Sequence, residues 1–265
     1  MATGRATAAG RSAHLAALVL VAMLAAGCAG TKQTLTQTDP WESVNRPIYQ
    51  FNDRVDRYAL RPVAQAYDSY VPEVFRFVAG NFIANLADVY TAANQLLQAK
   101  PLMALQDLTR FVVNSTFGFF GIGDVASSLG LPKHYEDFGQ TLGVWGVPSG
   151  PYVVLPLFGP STLRDAPARL PDTWYGNALV FTTDDMAVRN SVFGLKVVDD
   201  RAGLLQGEKL IDGISLDRYS LIRDGYLQRR QAAIYDGDVP DDQLPNYDDD
   251  DDDPGPSEGS ATTAR

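Results

Sequence analysis

Between Trp41 and Tyr58 the apolar residues Trp41, Val44, Ile48, Phe51, Val55 and Tyr58 fall at intervals of 3, 4, 3, 4 and 3. Only an α-helix brings such positions onto one face. The same period returns from Glu73 to about Ala99 at Val74, Phe77, Val78, Ile83, Leu86, Val89, Tyr90, Ala93, Leu96 and Leu97. Pro101 opens a further helix with Leu102, Leu105, Leu108, Phe111 and Val112 on one side. Asp217–Asp236 reads as a last helix, dense in charge and striped with Tyr219, Ile222, Tyr226 and Ile234. Asp172 or Thr173 is expected to start a stretch that includes Ala187–Val198. Asp39-Pro40-Trp41-Glu42 suggests an N-cap followed by Pro at the first helical position, and Pro47 is expected to kink or split the first helix. No long strand alternation stands out, and Tyr152–Leu155 is the best short strand. The class is mainly α, in one domain.

The start of the chain is of another kind. No acid precedes Asp39, Arg5 and Arg11 form a basic segment, and Leu15–Ala26 is an apolar run of twelve residues. This is the layout of a secretory signal peptide, and it is shorter than the roughly 20 apolar residues that a spanning helix needs. The sole cysteine, Cys28, follows Gly27 at the expected cleavage point. Leu24-Ala25-Ala26-Gly27-Cys28 resembles a bacterial lipobox, in which the cysteine receives diacylglycerol and acyl groups such as palmitate. Several chains at about 0.8 kcal/mol per buried methylene make a stable anchor. Ala29, where other bacterial lipoproteins have Asp for inner-membrane retention, points to the outer membrane. The chain thus divides into a signal peptide (1–27), a lipidated tether (28–38), a body (39–235) and an acidic tail (236–265).

The formal net charge of −10 belongs to that tail, which holds eleven acids and one base, whereas the body is nearly neutral. Six consecutive aspartates, Asp248–Asp253, are expected to keep it disordered. Without a basic footprint, nucleic acid is not a partner.

Catalytic constellations are missing. His134 is the one histidine outside the leader. Gly159-Pro160-Ser161-Thr162-Leu163 lacks the second glycine of a nucleophile elbow. GLLQGEK at 203–209 has the wrong spacing for a P-loop. Asp184-Asp185 and Asp199-Asp200 read as solvated turns or helix caps. The expectation is a protein that is no enzyme and carries no metal or cofactor beyond the lipid groups on Cys28.

Two segments combine glycine with large apolar side chains: FGFFGIGDVASSLG at 117–130 and FGQTLGVWGVPSGPYVVLPLFG at 138–159. Apolar, glycine-rich loops suit either a buried irregular connection or a surface set against lipid, where Trp and Tyr are favoured. Phe117, Phe119, Phe120, Trp145 and Tyr152 are the candidates for lipid contact, with core packing as the rival role.

The body also resembles the MlaA/VacJ family of outer-membrane lipoproteins. The matching stretches are Asp39-Pro40-Trp41-Glu42 with Asn45-Arg46 and Phe51-Asn52, Arg61-Pro62-Val63-Ala64, and Arg110-Phe111 with Asn114, Gly118, Gly121 and Asp124-Val125-Ala126. They continue from Asp137-Phe138-Gly139-Gln140-Thr141-Leu142-Gly143 through Gly150-Pro151-Tyr152 to Gly159-Pro160-Ser161-Thr162-Leu163-Arg164-Asp165, and end with Tyr219, Arg223, Tyr226 and Arg229-Arg230. The resemblance implies a ring-like helical protein in the periplasmic leaflet of the outer membrane, around an amphipathic channel. It implies removal of mislocalised phospholipid from the outer leaflet and delivery to a soluble periplasmic carrier feeding an inner-membrane ABC complex. Association with a trimeric porin and maintenance of lipid asymmetry are implied as well. It also aligns Gly143–Tyr152 with a flexible hairpin beside the channel, so that Gly143, Gly146 and Gly150 are expected hinges. The alternative is an outer-membrane scaffold that binds porins or envelope proteins without moving lipid.

Overall fold

A computed structural model describes residues 39–176, 183–211 and 217–240. Cys28, the leader, the tether and Asp248–Asp253 lie outside the described residues.

The chain is mainly helical, as the periodicity predicts. Helix α1 (Glu42–Val55) passes through a π-helical turn (Asp56–Leu60) into α2 (Arg61–Tyr70). Then follow α3 (Glu73–Leu97), α4 (Pro101–Thr116), the short α5 (Val125–Ser128) and α6 (Phe138–Val144). A hairpin of β1 (Tyr152–Leu155) and β2 (Gly159–Thr162) leads to α7 (Asp165–Tyr175), α8 (Met186–Ile211) and α9 (Arg218–Ile234).

Local chemistry explains the boundaries. Pro62 and Pro101 sit in the first turns of α2 and α4, where a missing N–H costs nothing. Pro72 immediately precedes α3. Asp124, Asp137 and Asp217 cap α5, α6 and α9 by accepting from Ser127, Gln140 and Tyr219 N–H. The three-residue turn between α3 and α4 closes with Lys100 N–H donating to Gln95 C=O at 2.8 Å and Ala99 at φ +60°. A turn this short lays the two helices side by side.

Three expectations change. Asp39 is not an N-cap: the residue before α1 is Trp41, which makes no side-chain cap bond. Asp39 instead accepts from Asn45 Nδ2 at 2.7 Å and from the Tyr219 hydroxyl. Helix α1 continues through Pro47, and the irregular turn comes later, at residues 56–60. Asp172 and Thr173 lie in the last turn of α7 rather than at the start of α8; Asp185 caps that helix, accepting from Ala187 N–H at 2.8 Å.

Strand β1 occupies the expected residues. Its partner β2 escapes notice in the sequence because it opens on Gly159-Pro160, two residue types depleted in strands, and has only Thr162 as a strand former. The antiparallel register pairs Tyr152 with Thr162 and Leu155 with Gly159. The other edge of β1 is closed by α1 side chains. Asn45 donates to Tyr152 C=O at 3.0 Å and accepts from Val154 N–H at 2.9 Å. Asn52 does the same for Leu155 C=O and Leu157 N–H at 2.9 and 2.7 Å. A seven-residue step keeps both amides on one helix face, so two side chains replace a missing strand.

Against this hairpin packs a small aromatic core: Tyr152, Val154 and Tyr219, with Ile48, Tyr49, Tyr226 and Leu227 beside them. Tyr152 meets Tyr219 and Tyr226 edge-on at 6.2 Å each.

Candidate functional site

Side chains are distributed in the reverse of the usual sense. Among the described residues, seventeen buried residues are polar or charged and eleven are apolar, six of these alanine. Thirty-three large apolar side chains are exposed over the same residues. Isolated exposed apolar residues are ordinary, but buried polar residues and large apolar patches carry information.

Helix α4 shows the inversion most plainly. Leu102, Leu105, Leu108 and Val112, its apolar stripe, face outward, with Leu102 77% exposed. Its buried positions are Ala104, Asp107, Arg110 and Asn114. In α3, Val74, Phe77, Leu96 and Leu97 are exposed, while Asn85, Asp88, Thr91, Asn94 and Gln95 are buried. Trp41, Val44, Phe51 and Tyr58 of the first stripe also lie at the surface.

The interior is knitted by charge-assisted bonds. Arg110, 2% exposed, donates to both Asp124 oxygens at 3.0 and 3.1 Å, to Ser127 Oγ at 3.1 Å and to Leu131 C=O at 2.5 Å. Burial pushes the Asp124 carboxyl up, but bonds from Ser127, Asn114 and Arg110 outweigh it and hold the group at about 2. Arg230 of α9 donates bidentately to Asp137 at 2.5 and 2.6 Å, and its Nε lies 2.8 Å from Asp165. Burial opposes ionisation of Asp137 and Asp165, yet their arginine partners keep both below the ordinary carboxylate range. Glu208 of α8 takes bonds or ion pairs from Arg201, Arg218 and Arg61, which overcome burial and bring it to about 2. His134 is a loop residue with Nδ1 3.0 Å from the buried Asp107.

The candidate lipid-contact residues separate into two groups. Phe117, Phe119 and Phe120 are 79%, 71% and 71% exposed and stand together on the turn after α4. Phe119 and Phe120 both adopt positive φ, +53° and +61°, a costly choice for bulky residues. The turn is clamped beneath them, with Gly121 at φ +85° against Asn85 and Gly118 N–H bonded to Val113 C=O. Trp145 is half-exposed, and its indole N–H donates to Leu97 C=O at 2.9 Å. Tyr152 differs: it is fully buried in the aromatic core, so it packs rather than meets lipid.

The glycines also divide. Gly143 lies inside α6, and a Cβ there would come within 2.9 Å of Arg164 and Ile234. It permits close packing of α6 against these two side chains. Gly146 and Gly150 both have positive φ, +86° and +67°, and flank the segment 147–149. The acidic segment departs from expectation at its start, since Asp236 pairs with Lys100 at 2.5 Å and holds residues just past 235 to the body.

Asp107, Arg110 and Asn114 recur at steps of 3 and 4, as regularly as the leucines opposite. No described helix is long and apolar enough to cross a membrane.

Over the described residues this is a class of helical protein with large apolar side chains exposed, polar ones buried and no helix long and apolar enough to span a membrane. The chain belongs to the MlaA lipoprotein family, whose model matches residues 37–233. Lipoprotein MlaA of the intermembrane phospholipid transport system of Escherichia coli K12 is 38% identical over 240 residues, covering 88% of this chain and 93% of the relative. The Haemophilus influenzae lipoprotein of the same name is 31% identical over 237 residues, covering 83% and 91%. A solved chain from work on the structural basis for maintenance of bacterial outer membrane lipid asymmetry aligns with a TM-score of 0.64 at 36% identity, covering 74% of this chain and 98% of that one.

Proposed function

We propose that this protein lies in the periplasmic leaflet of the outer membrane, anchored by the lipid groups on Cys28. There it removes mislocalised phospholipid from the outer leaflet and passes it to a soluble periplasmic carrier. The lipid follows an amphipathic channel enclosed by a ring of helices. The carrier feeds an inner-membrane ABC complex, a trimeric porin holds the protein in place, and the outcome is lipid asymmetry. The observation that carries this reading is the inverted polarity of α3 and α4.

The physics of the task supports it. Carrying a bare phospholipid through water exposes roughly 30 methylenes at about 0.8 kcal/mol each, on the order of 20 kcal/mol. A path that keeps acyl chains against apolar side chains and the headgroup against polar ones removes most of that cost. The outward leucines of α4 and the exposed phenylalanines supply apolar surface, and the buried Asn, Gln, Asp and Arg supply the polar lining. Gly146 and Gly150 supply freedom for the segment between them to swing, with the Trp145–Leu97 bond as the latch. No step here calls for nucleotide or a catalytic nucleophile.

The test places the purified lipoprotein in liposomes with fluorescent phospholipid and follows appearance of label on a soluble carrier. Carrier loading well above that from protein-free vesicles is expected. Loading equal to the protein-free rate, with a folded and inserted protein, overturns transport and leaves the scaffold.

A further inference from the structure

A cavity of about 170 Å3 lies between α3, α4 and the loop 124–135, lined by Asn81, Ala84, Asn85, Asp88, Arg110, Asn114, Asp124, Lys133 and Tyr135. A water molecule takes about 30 Å3 of liquid volume, so the cavity holds a few waters or one small polar group. Asn81, Asn85 and Asp88 come from one face of α3 at steps of 4 and 3.

Most polar atoms in the cavity wall are already committed. Arg110 is occupied by Asp124, Ser127 and Leu131, as above. Lys133 Nζ donates to Ala84 C=O at 2.7 Å and to Asp88 Oδ1. Asn114 donates to Asp124 at 3.0 Å and accepts from Ala126 N–H at 2.8 Å. Asn85 Nδ2 donates to Ser115 Oγ at 3.0 Å.

What remains is mostly accepting. Asn85 Oδ1 and Asp88 Oδ2 have no hydrogen-bond partner, although the two residues are 3% and 0% exposed. The Nε of Arg110 is also unbonded, 3.8 Å from Asp88 Oδ2 and too far to satisfy it. Unpaired buried acceptors cost about 1–3 kcal/mol each, more when charged. The charges of the wall balance, Asp88 and Asp124 against Arg110 and Lys133, and the nearby Asp107 pairs with His134. Burial raises the Asp88 carboxyl despite Lys133 and Arg110. What the site lacks is a group that brings N–H donors to the two unbonded acceptors.

Tyr135 is exposed at the edge of the cavity, with Lys133 Nζ 5.6 Å from its ring centroid, so a second cation would meet the opposite ring face. Asn81 donates to Ile122 C=O at 2.9 Å, fixing the phenylalanine turn over the same end of α3. A polar cavity thus sits beside Phe117, Phe119 and Phe120, the order of a headgroup next to its acyl chains.

We infer that this cavity receives the primary ammonium of an aminophospholipid headgroup, with Asn85 Oδ1 and Asp88 Oδ2 as acceptors and Tyr135 at the rim. A quaternary headgroup has no N–H to give, and a glycerol headgroup has no positive charge. The inference rests on the phospholipid-transport reading and adds a headgroup preference to it.

Native mass spectrometry of the full-chain lipoprotein in detergent tests it, with equimolar phosphatidylethanolamine, phosphatidylcholine and phosphatidylglycerol. Bound phosphatidylethanolamine at least tenfold above phosphatidylcholine is expected, falling to within twofold for Asp88→Asn. Tyr135→Ala, at an exposed position that does not threaten folding, is expected to reduce the preference severalfold. Thermal shifts separate the sources of the amine: glycerophosphoethanolamine is expected to stabilise the protein more than ethanolamine chloride or potassium chloride. Equal shifts from all three mean a free-cation site and overturn the headgroup assignment. Equal binding of the three lipids by wild-type protein overturns it too. Wild-type transfer of phosphatidylglycerol to the carrier, measured alongside, shows whether transport itself stands.

Discussion

Gly121 and Gly146 share a left-handed backbone but differ in what surrounds them. A Cβ on Gly121 would lie 2.5 Å from Asn85 Nδ2, in the wall of the cavity. Gly146 has nothing within 4 Å. Gly121→Ala is therefore expected to cost at least about 2 kcal/mol, from backbone strain and displacement of Asn85. Gly146→Ala should cost about 1 kcal/mol, from strain alone. Urea denaturation of the two variants in detergent measures the difference, and equal losses would contradict the close approach at Gly121. Tyr219→Phe is expected to cost about 1–3 kcal/mol, because the buried Asp39 loses its phenolic donor; Tm measured beside wild type checks it. Residue types announced such roles unevenly. Glycine at 121 and 143 is visible in the sequence, but whether it serves a turn or a close approach depends on Asn85 or Ile234, far away in the chain. Asp39 looked like a cap because its neighbours are Pro, Trp and Glu, and its true partner lies 180 residues on.

At the scale of elements, α4 carries two stripes of equal regularity, and periodicity reports the period without the direction. In water the leucine stripe would face inward. Here Asp107, Arg110 and Asn114 do, and their burial is offset by pairing, Arg110 and Asn114 with Asp124 and Asp107 with His134. That is why the helices were legible from spacing while the polar lining was not. The β2 strand was hidden for a different reason, since it is held by its pairing with β1 and by Arg169, which donates to Pro160 C=O at 2.6 Å, rather than by its own propensity. The phenylalanine turn gives a test of the outward face. Phe119→Ser with Phe120→Ser should leave the melting temperature within a few degrees of wild type, since both rings are exposed. Membrane binding of protein lacking the lipid anchor should fall at least tenfold, since burying one such ring is worth about 1.5–3 kcal/mol. Vesicle flotation of the unlipidated protein reads this directly, and unchanged flotation would remove the turn from the lipid surface.

The molecule as a whole depends on ionised carboxylates. Asp124 and Glu208 are each held at about 2, below ordinary values of 3.8 and 4.5. A carboxylate depressed by folding contributes stability in full above its unfolded pKa and loses it as pH falls through the folded one. Stability should accordingly decline from about pH 4.5 to about pH 2, and Tm followed over that range tests it. A flat profile would mean the two networks add nothing to the fold. The tie between Asp39 and Tyr219 matters in mechanical terms. It joins the first described residue to the last described helix, and Arg46 adds a second link to the cap of that helix through Asp217 at 2.6 Å. Under the proposed anchorage, membrane tension on residue 28 reaches the body at Asp39 and is shared at once between α1 and α9. The tether then pulls on a seam between α1 and α9 rather than on one helix alone.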